Sequence, residues 1–243
     1  MVGQCATTAK GNRGDISLPP ETIIGKLKGA NPAEVEKTLD YIIQKGTCNP
    51  RFIRPLLDLL SSHDPVMFGK ALTALMLMRE NGVRFAPEQE RALTKRLNGA
   101  QIQFVDGGLK ISGSGVRLPN GAVLDEGSIS FKDGQWLLMT GSKAVISGVQ
   151  ISAETRNVNL FFDDRRHESI NPFIAIDANH KTITLHGNDD FMLPEVKFRE
   201  TNPFVRIEGT DELALSHVNN ADVRITNRDA NGLVPAVDRK SVV

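Results

Sequence analysis

The chain has 243 residues, with 29 Lys and Arg against 29 Asp and Glu and a formal net charge of +0 at pH 7. That balance, with no basic run interleaved with aromatics, excludes a broad electrostatic footprint for DNA or RNA. No apolar run approaches the roughly 18 residues that span a bilayer, and the N-terminus has no apolar core of a secretory signal. A cytoplasmic protein is the default expectation, with export by a non-classical route as the alternative.

In chain order, residues 1–17 are polar and are expected to form a disordered tail. The tail includes the tripeptide Arg13-Gly14-Asp15, an adhesion signal on some extracellular proteins. In composition it also resembles the leader of secreted bacterial effectors. The two cysteines, Cys5 in this tail and Cys48 in a turn, have no second pair to make a framework. No disulfide is expected, and a reducing compartment is favoured.

From residue 18 to residue 98 the signals are helical. Pro20, Asn31-Pro32, Asn49-Pro50, Asp64-Pro65 and Ala86-Pro87 each open a segment, because proline at a first helical position gives up no bond and a preceding Asn or Asp can cap. Gly29, Gly46 and Gly82 are placed to close three of them. A single constant offset lays Ile23, Ile24 and Leu27 on Leu56, Leu57 and Leu60, Asn31-Pro32 on Asp64-Pro65, and Leu39 and Ile42 on Leu72 and Leu75. The stretch FIRPLLDLLSSHDPVMFGKALTALM, with IIGKLKGANPAEVEKTLDYII as its degenerate copy, resembles the HEAT family over about residues 21–82. The resemblance implies stacked helical hairpins, with a helix over 86–97 as a polar cap.

From Ala100 the period changes to two. Short runs such as QIQFV, LKIS, SISF, WLLM, AVIS and VNLFF alternate with Asp106-Gly107, Asn120-Gly121, Asp133-Gly134 and Gly187-Asn188, which predicts an all-β domain over residues 99–236 and a tail over 237–243. A second match, again at one constant offset, relates Asn171-Pro172-Phe173 to Asn202-Pro203-Phe204, His186 to His217 and Asn188 to Asn219. Asn157 stands one step earlier. Asparagines at a constant interval suggest a ladder of stacked turns, Asn157, Asn188 and Asn219. This resembles a right-handed parallel β-helix. The fold class is therefore α+β and segregated, a HEAT-like helical part followed by a parallel β-helix, with a β-sandwich or jelly roll as the alternative and a barrel as a third choice.

Chemistry-bearing groups cluster weakly. Asp163, Asp164, Arg166 and His167 lie in the most charged stretch, and Asp189 and Asp190 follow. Paired carboxylates with an arginine are what a carbohydrate-active β-helix hydrolase or lyase uses. A solvated, salt-bridged loop explains the same residues, and one Trp and one Tyr are few for sugar platforms. His186 and His217 supply two donors where a metal needs three or more, so no metal and no cofactor are expected. Ser112-Gly113-Ser114-Gly115 lacks the helix and lysine of a phosphate loop and reads as a turn. Nothing beyond the presence of a thiol supports Cys48 as a nucleophile. The C-terminal Ser241-Val242-Val243 has the chemistry a carboxylate-capturing groove reads.

Architecture thus favours a non-enzymatic interaction or scaffold protein that binds another macromolecule through a repeat surface. The partner expected is a protein, or otherwise a polysaccharide, with no nucleic acid and no membrane span. A sugar-active enzyme and a delivered bacterial effector acting on a host protein are the alternatives. No feature assigns an oligomeric state.

Overall fold

A computed structural model describes residues 18–105, 107–153 and 156–163, together with the later strands 173–177, 182–186, 196–198, 204–208 and 223–226. The chain divides into two units, one ending at Leu97 and the other starting at Asn98. Helices fill the first and strands the second, a segregated α+β arrangement. Among the described residues no helix is long and apolar enough to cross a membrane.

The helices are α1 (Pro20–Leu27), α2 (Pro32–Lys45), α3 (Ile53–Leu59), α4 (Pro65–Glu80) and α5 (Pro87–Leu97), and all but α3 begin where the proline signals stand. The caps explain why. Asn31 Oδ1 accepts from Ala33 N at 3.1 Å, and Asp64 Oδ1 accepts from Val66 N and Met67 N at 2.8 and 3.0 Å. Asn49 Oδ1 likewise accepts from Arg51 N at 3.0 Å, but what it opens is a short 3-10 turn, Pro50–Phe52, that runs into α3. Gly46 ends α2 in the left-handed conformation, φ 57°, the residue type a helix stop of this kind prefers.

The helical unit is not a stack of HEAT hairpins. Helix starts do recur at the offset seen in the sequence, Pro20 with Ile53 and Pro32 with Pro65, but the members of each pair do different work. On α2 a narrow stripe of Val35, Thr38, Leu39 and Ile42 is buried. On α4 the buried set is Met67, Phe68, Gly69, Ala71, Leu72, Ala74, Leu75, Met76 and Met78, which leaves little of the circumference for solvent. A helix in a two-layer stack keeps an outer face, whereas α4 is the central member of a five-helix bundle, packed by α2 and α3. Apolar spacing made the two hairpins look alike because periodicity reports one buried stripe and is silent on how many neighbours surround it.

One ion cluster ties α2 to α4. Lys70, whose side chain is 11% exposed, donates to Asp40 Oδ1 at 2.7 Å and to Glu36 Oε1 at 2.9 Å. Burial pulls the ammonium pKa down, but hydrogen bonds and attraction from Asp40 and then Glu36 outweigh it and hold the pKa above the usual 10.5. A raised folded-state value means that the contribution is fully present below the unfolded lysine pKa, about 10.4, and is lost as pH climbs through the folded value. Replacing Asp40→Asn is expected to bring the Lys70 titration, followed by NMR at its Cε, back down. An unchanged midpoint would show that the pair does not form in solution.

Cys48 is disulfide-bonded, contrary to expectation. The other cysteine of the chain, Cys5, lies outside the described residues. Two cysteines make no framework pattern in sequence, so spacing gave no sign of the bond. A thiol held in this way also removes the premise for a reducing compartment.

The strand unit is organised by one long bent strand. Its strands are β1 (Gln101–Val105), β2 (Gly108–Ser112), β3 (Val116–Arg117), β4 (Val123–Lys132), β5 (Gln135–Leu138), β6 (Ser142–Ile146), β7 (Val149–Ala153), β8 (Val158–Phe161), β9 (Phe173–Asp177), β10 (Thr182–His186), β11 (Val196–Phe198), β12 (Phe204–Glu208) and β13 (Val223–Thr226). The second half of β4 lies in a larger sheet ordered β1-β2-β4-β5-β8-β9-β10-β12-β13, and its first half lies in a smaller one, β3-β4-β6-β7-β11. Three features mark the bend. Register along β4 shifts between Leu124 and Glu126, a bulge. Gly127 follows at φ 93°. Opposite, β2 and β3 are one strand broken at Gly113-Ser114-Gly115: Ser112 pairs with Ser128 and Val116 with Leu124 in a single register, and Gly113 N donates to Gly127 O at 3.2 Å. The Ser-Gly-Ser-Gly stretch is thus a break in a strand that stays on its partner, not a turn between strands.

Tight hairpins follow the dipeptides. Asp133-Gly134 and Ser147-Gly148 both adopt φ > 0 at each central residue and join β4 to β5 and β6 to β7 through two-residue loops. The bulge residue Asp125 braces the second, its Oδ2 accepting from Gly148 N at 2.7 Å. Apolar rows then cross the larger sheet, Leu109 with Phe131, Phe131 with Trp136, Trp136 with Leu160 and Leu160 with Ile174. Trp136 stands 5.0 Å from the Phe131 ring and 5.6 Å, edge on, from that of Phe162.

This sheet is mixed, not a parallel β-helix. β9 runs antiparallel to β10, which pairs in parallel with β12 on its other side. Phe173 lies opposite His186 and Phe204 opposite Thr182, so the two Asn-Pro-Phe copies lead into strands that flank opposite ends of β10 and do not stack. The sequence match between those copies therefore relates two strands separated by a third.

Candidate functional site

One concavity among the described residues lies on the helical unit, where α1 ends and α2 begins. It is a cleft of ≈ 540 Å³ lined by Leu18, Lys26, Asn31, Ala33, Glu34, Lys37, Thr38 and Tyr41. The turn through Asn31 brings the last turn of α1 beside the first of α2, which sets Lys26 Nζ 3.2 Å from Glu34 Oε1. Successive turns of α2 then present Glu34, Lys37 and Tyr41 along the cleft, the i, i+3, i+7 spacing of one helix face. Thr38 spends its hydroxyl on its own helix, donating to Glu34 O at 2.7 Å. Tyr41 Oη accepts from Leu18 N at 3.2 Å, fixing the ring and the incoming chain.

The lining sets the chemistry of the cleft. It offers apolar wall from Leu18, Ala33 and the Tyr41 ring, one internally satisfied ion pair, and one cation to spare: Lys37 is exposed and, among the described residues, has no ion-pair partner. The lining holds no Ser, Cys or His. Among the described residues no group of three or more His, Cys, Asp or Glu is placed to hold a metal.

No family model, no curated protein and no solved structure matches the chain.

The sequence candidates distribute as follows. Asp163 is half-buried two residues beyond β8 and is engaged by neighbours. Asp164, Arg166, His167, Asp189 and Asp190 lie outside the described residues, as do His217, Asn188 and Asn219, the Arg-Gly-Asp tripeptide and the C-terminal Ser-Val-Val. His186 is the last residue of β10. Asn157 is exposed, and its Oδ1 accepts from both the amide and the hydroxyl of Thr140 at 2.8 and 3.0 Å, closing the chain reversal before β8. Cys48 carries a bonded sulfur and offers no thiolate.

None of the cleft residues was singled out by sequence as a functional candidate, Asn31 being read only as a helix cap. One signal was present: Tyr41 is the one tyrosine of the chain, on a helix whose apolar stripe does not need a phenol. Its use emerges only once Leu18 and Lys26 are brought beside it by the hairpin.

Proposed function

We propose that the protein is a non-enzymatic binding protein whose helical unit receives a short segment of a partner protein in the cleft between α1 and α2. The supporting observation is the lining itself: a half-buried tyrosine clamped by a backbone amide, apolar wall on either side, and the uncommitted Lys37 at the rim. Tyrosine supplies large contact area at small entropic cost, and a rim cation steers and orients a charged ligand. The segment that fits has an apolar side chain for the wall and a carboxylate for Lys37. The strand unit serves as a rigid two-sheet body of sandwich type built on β4.

Panning a random peptide library displayed on phage against the immobilised full chain tests this. Enrichment of peptides that combine acidic and apolar residues is expected, and Lys37→Glu should weaken the selected peptides by about tenfold, the scale of one charge contact. A library that yields no enriched peptide, or one whose selected peptides bind Lys37→Glu as well as the parent chain, overturns the reading.

A further inference from the structure

Among the described residues, β1 has β2 as its one sheet neighbour, so its outer backbone edge pairs with no described strand. Protein edges are ordinarily blunted by a charge, a proline or a bulge. β1 has none of these: Gln101-Ile102-Gln103-Phe104-Val105 is uncharged and pairs residue for residue with β2 without a register shift. Val105, 43% exposed, is the one large hydrophobic side chain so exposed among the described residues. Ile102 and Phe104 are only half-covered, although their β2 partners Ile111 and Leu109 are fully buried.

The free backbone groups follow from the hairpin. Val105 and Gly108 close a two-residue loop, which makes them a hydrogen-bonded pair. Antiparallel alternation then turns the backbone groups of Gln101, Gln103 and Val105 toward β2 and leaves the N–H and C=O of Ile102 and Phe104 facing out. These two residues are symmetric about Gln103. A second copy related by a two-fold axis through Gln103 therefore sets Ile102 opposite the other copy's Phe104 with both outward pairs in hydrogen-bonding register. The same pairing lays Ile102 and Phe104 side chains of the two copies together on one face, and Gln103 beside Gln103 on the other. No charge meets a like charge, and a chain of net charge +0 carries no long-range repulsion against its own copy.

We propose that the protein self-associates through β1, edge to edge and antiparallel, into a two-fold dimer in which the larger sheets of two copies join. The interface is isologous, so it closes on itself and does not propagate into fibres. So short a strand on each side makes it a weak, concentration-dependent contact.

Sedimentation velocity of the full chain over a wide concentration range reads the association, and amide hydrogen exchange reads its location. The weight-average mass should rise from 26.6 kDa toward twice that value. The amides of Ile102 and Phe104 should gain protection at high concentration. Gln103→Glu is the discriminating variant. Within one copy it faces Lys110 on β2 and supports the hairpin, whereas across the two-fold axis it faces its twin, so the dissociation constant should rise by roughly fivefold or more. A mass fixed at 26.6 kDa overturns the proposal. So does a dimer that Gln103→Glu leaves intact, or one in which Ile102 and Phe104 exchange as freely as at low concentration.

Discussion

Gly127→Ala is expected to destabilise the strand unit by about 3–5 kcal/mol, summed from a positive-φ penalty and a backbone clash. A Cβ built on Gly127 would lie 2.3 Å from Lys143 O and 2.9 Å from Ala144 Cα, both on the adjacent strand β6, and neither atom belongs to a flexible side chain. The residue also sits at φ 93°, where an L side chain is strained whatever the space. Gly134→Ala isolates the second contribution. Gly134 has φ 78° but nothing within 4 Å of its Cβ, so about 1 kcal/mol is expected there. Urea unfolding followed by tryptophan fluorescence separates the two variants, because Trp136 is the single tryptophan and is buried in the strand unit. Equal losses would mean that β4 and β6 do not approach this closely at the bend.

That bend shows where a sequence stops being legible. The elements were readable because their signals are local: a capping side chain before a proline, a Gly after Asp, a change of apolar period from helical to two. Asp64 and its two amide donors, or Asp133-Gly134 in its hairpin, need no knowledge of the rest of the chain. Which strand lies beside which is a different matter. Ser112-Gly113-Ser114-Gly115 looks the same whether the chain turns or continues, and only the partner strand, with Gly113 bonded to Gly127, decides it. The Asn-Pro-Phe match failed for the same reason, since similar segments preceding two strands say nothing about a third strand, β10, lying between those two.

The site was less legible still. Charge density drew attention to Asp163 and the residues after it, because clusters of titratable groups are conspicuous in a string of letters. The cleft at the start of α2 depends instead on residues far apart in sequence and individually ordinary. Leu18 and Tyr41 are linked by one hydrogen bond across 23 positions, and Lys26 meets Glu34 only because Asn31 caps a helix between them. The bond at Cys48 was invisible on the same account: pairing is a statement about distance, and two cysteines encode none.

Phe68→Ala should cost the helical unit about 3–5 kcal/mol, the range for truncating a fully buried phenylalanine. Phe68 is 1% exposed on α4, and the guanidinium of Arg96 on α5 lies over its ring at 5.4 Å from the centroid, so truncation opens a cavity and removes the ring face beneath that cation at once. Val35, which the sequence offset matches to Phe68, lies on α2 and is also buried, at 3%. Val35→Ala removes two carbons from a peripheral stripe and is expected to cost about 2 kcal/mol or less, at roughly 0.8 kcal/mol per buried carbon. Urea unfolding followed by far-UV circular dichroism measures both. The test of α4 as the central helix is one truncation at two offset-matched leucines, Leu72→Ala on α4 and Leu39→Ala on α2, both 0% exposed: in a stack of equivalent hairpins they would line equivalent cores and lose about the same stability. A loss at Leu72 no larger than the loss at Leu39 would contradict a bundle organised around α4. A larger one follows if α4, enclosed on nearly all sides, has no neighbour free to move inward and fill the space.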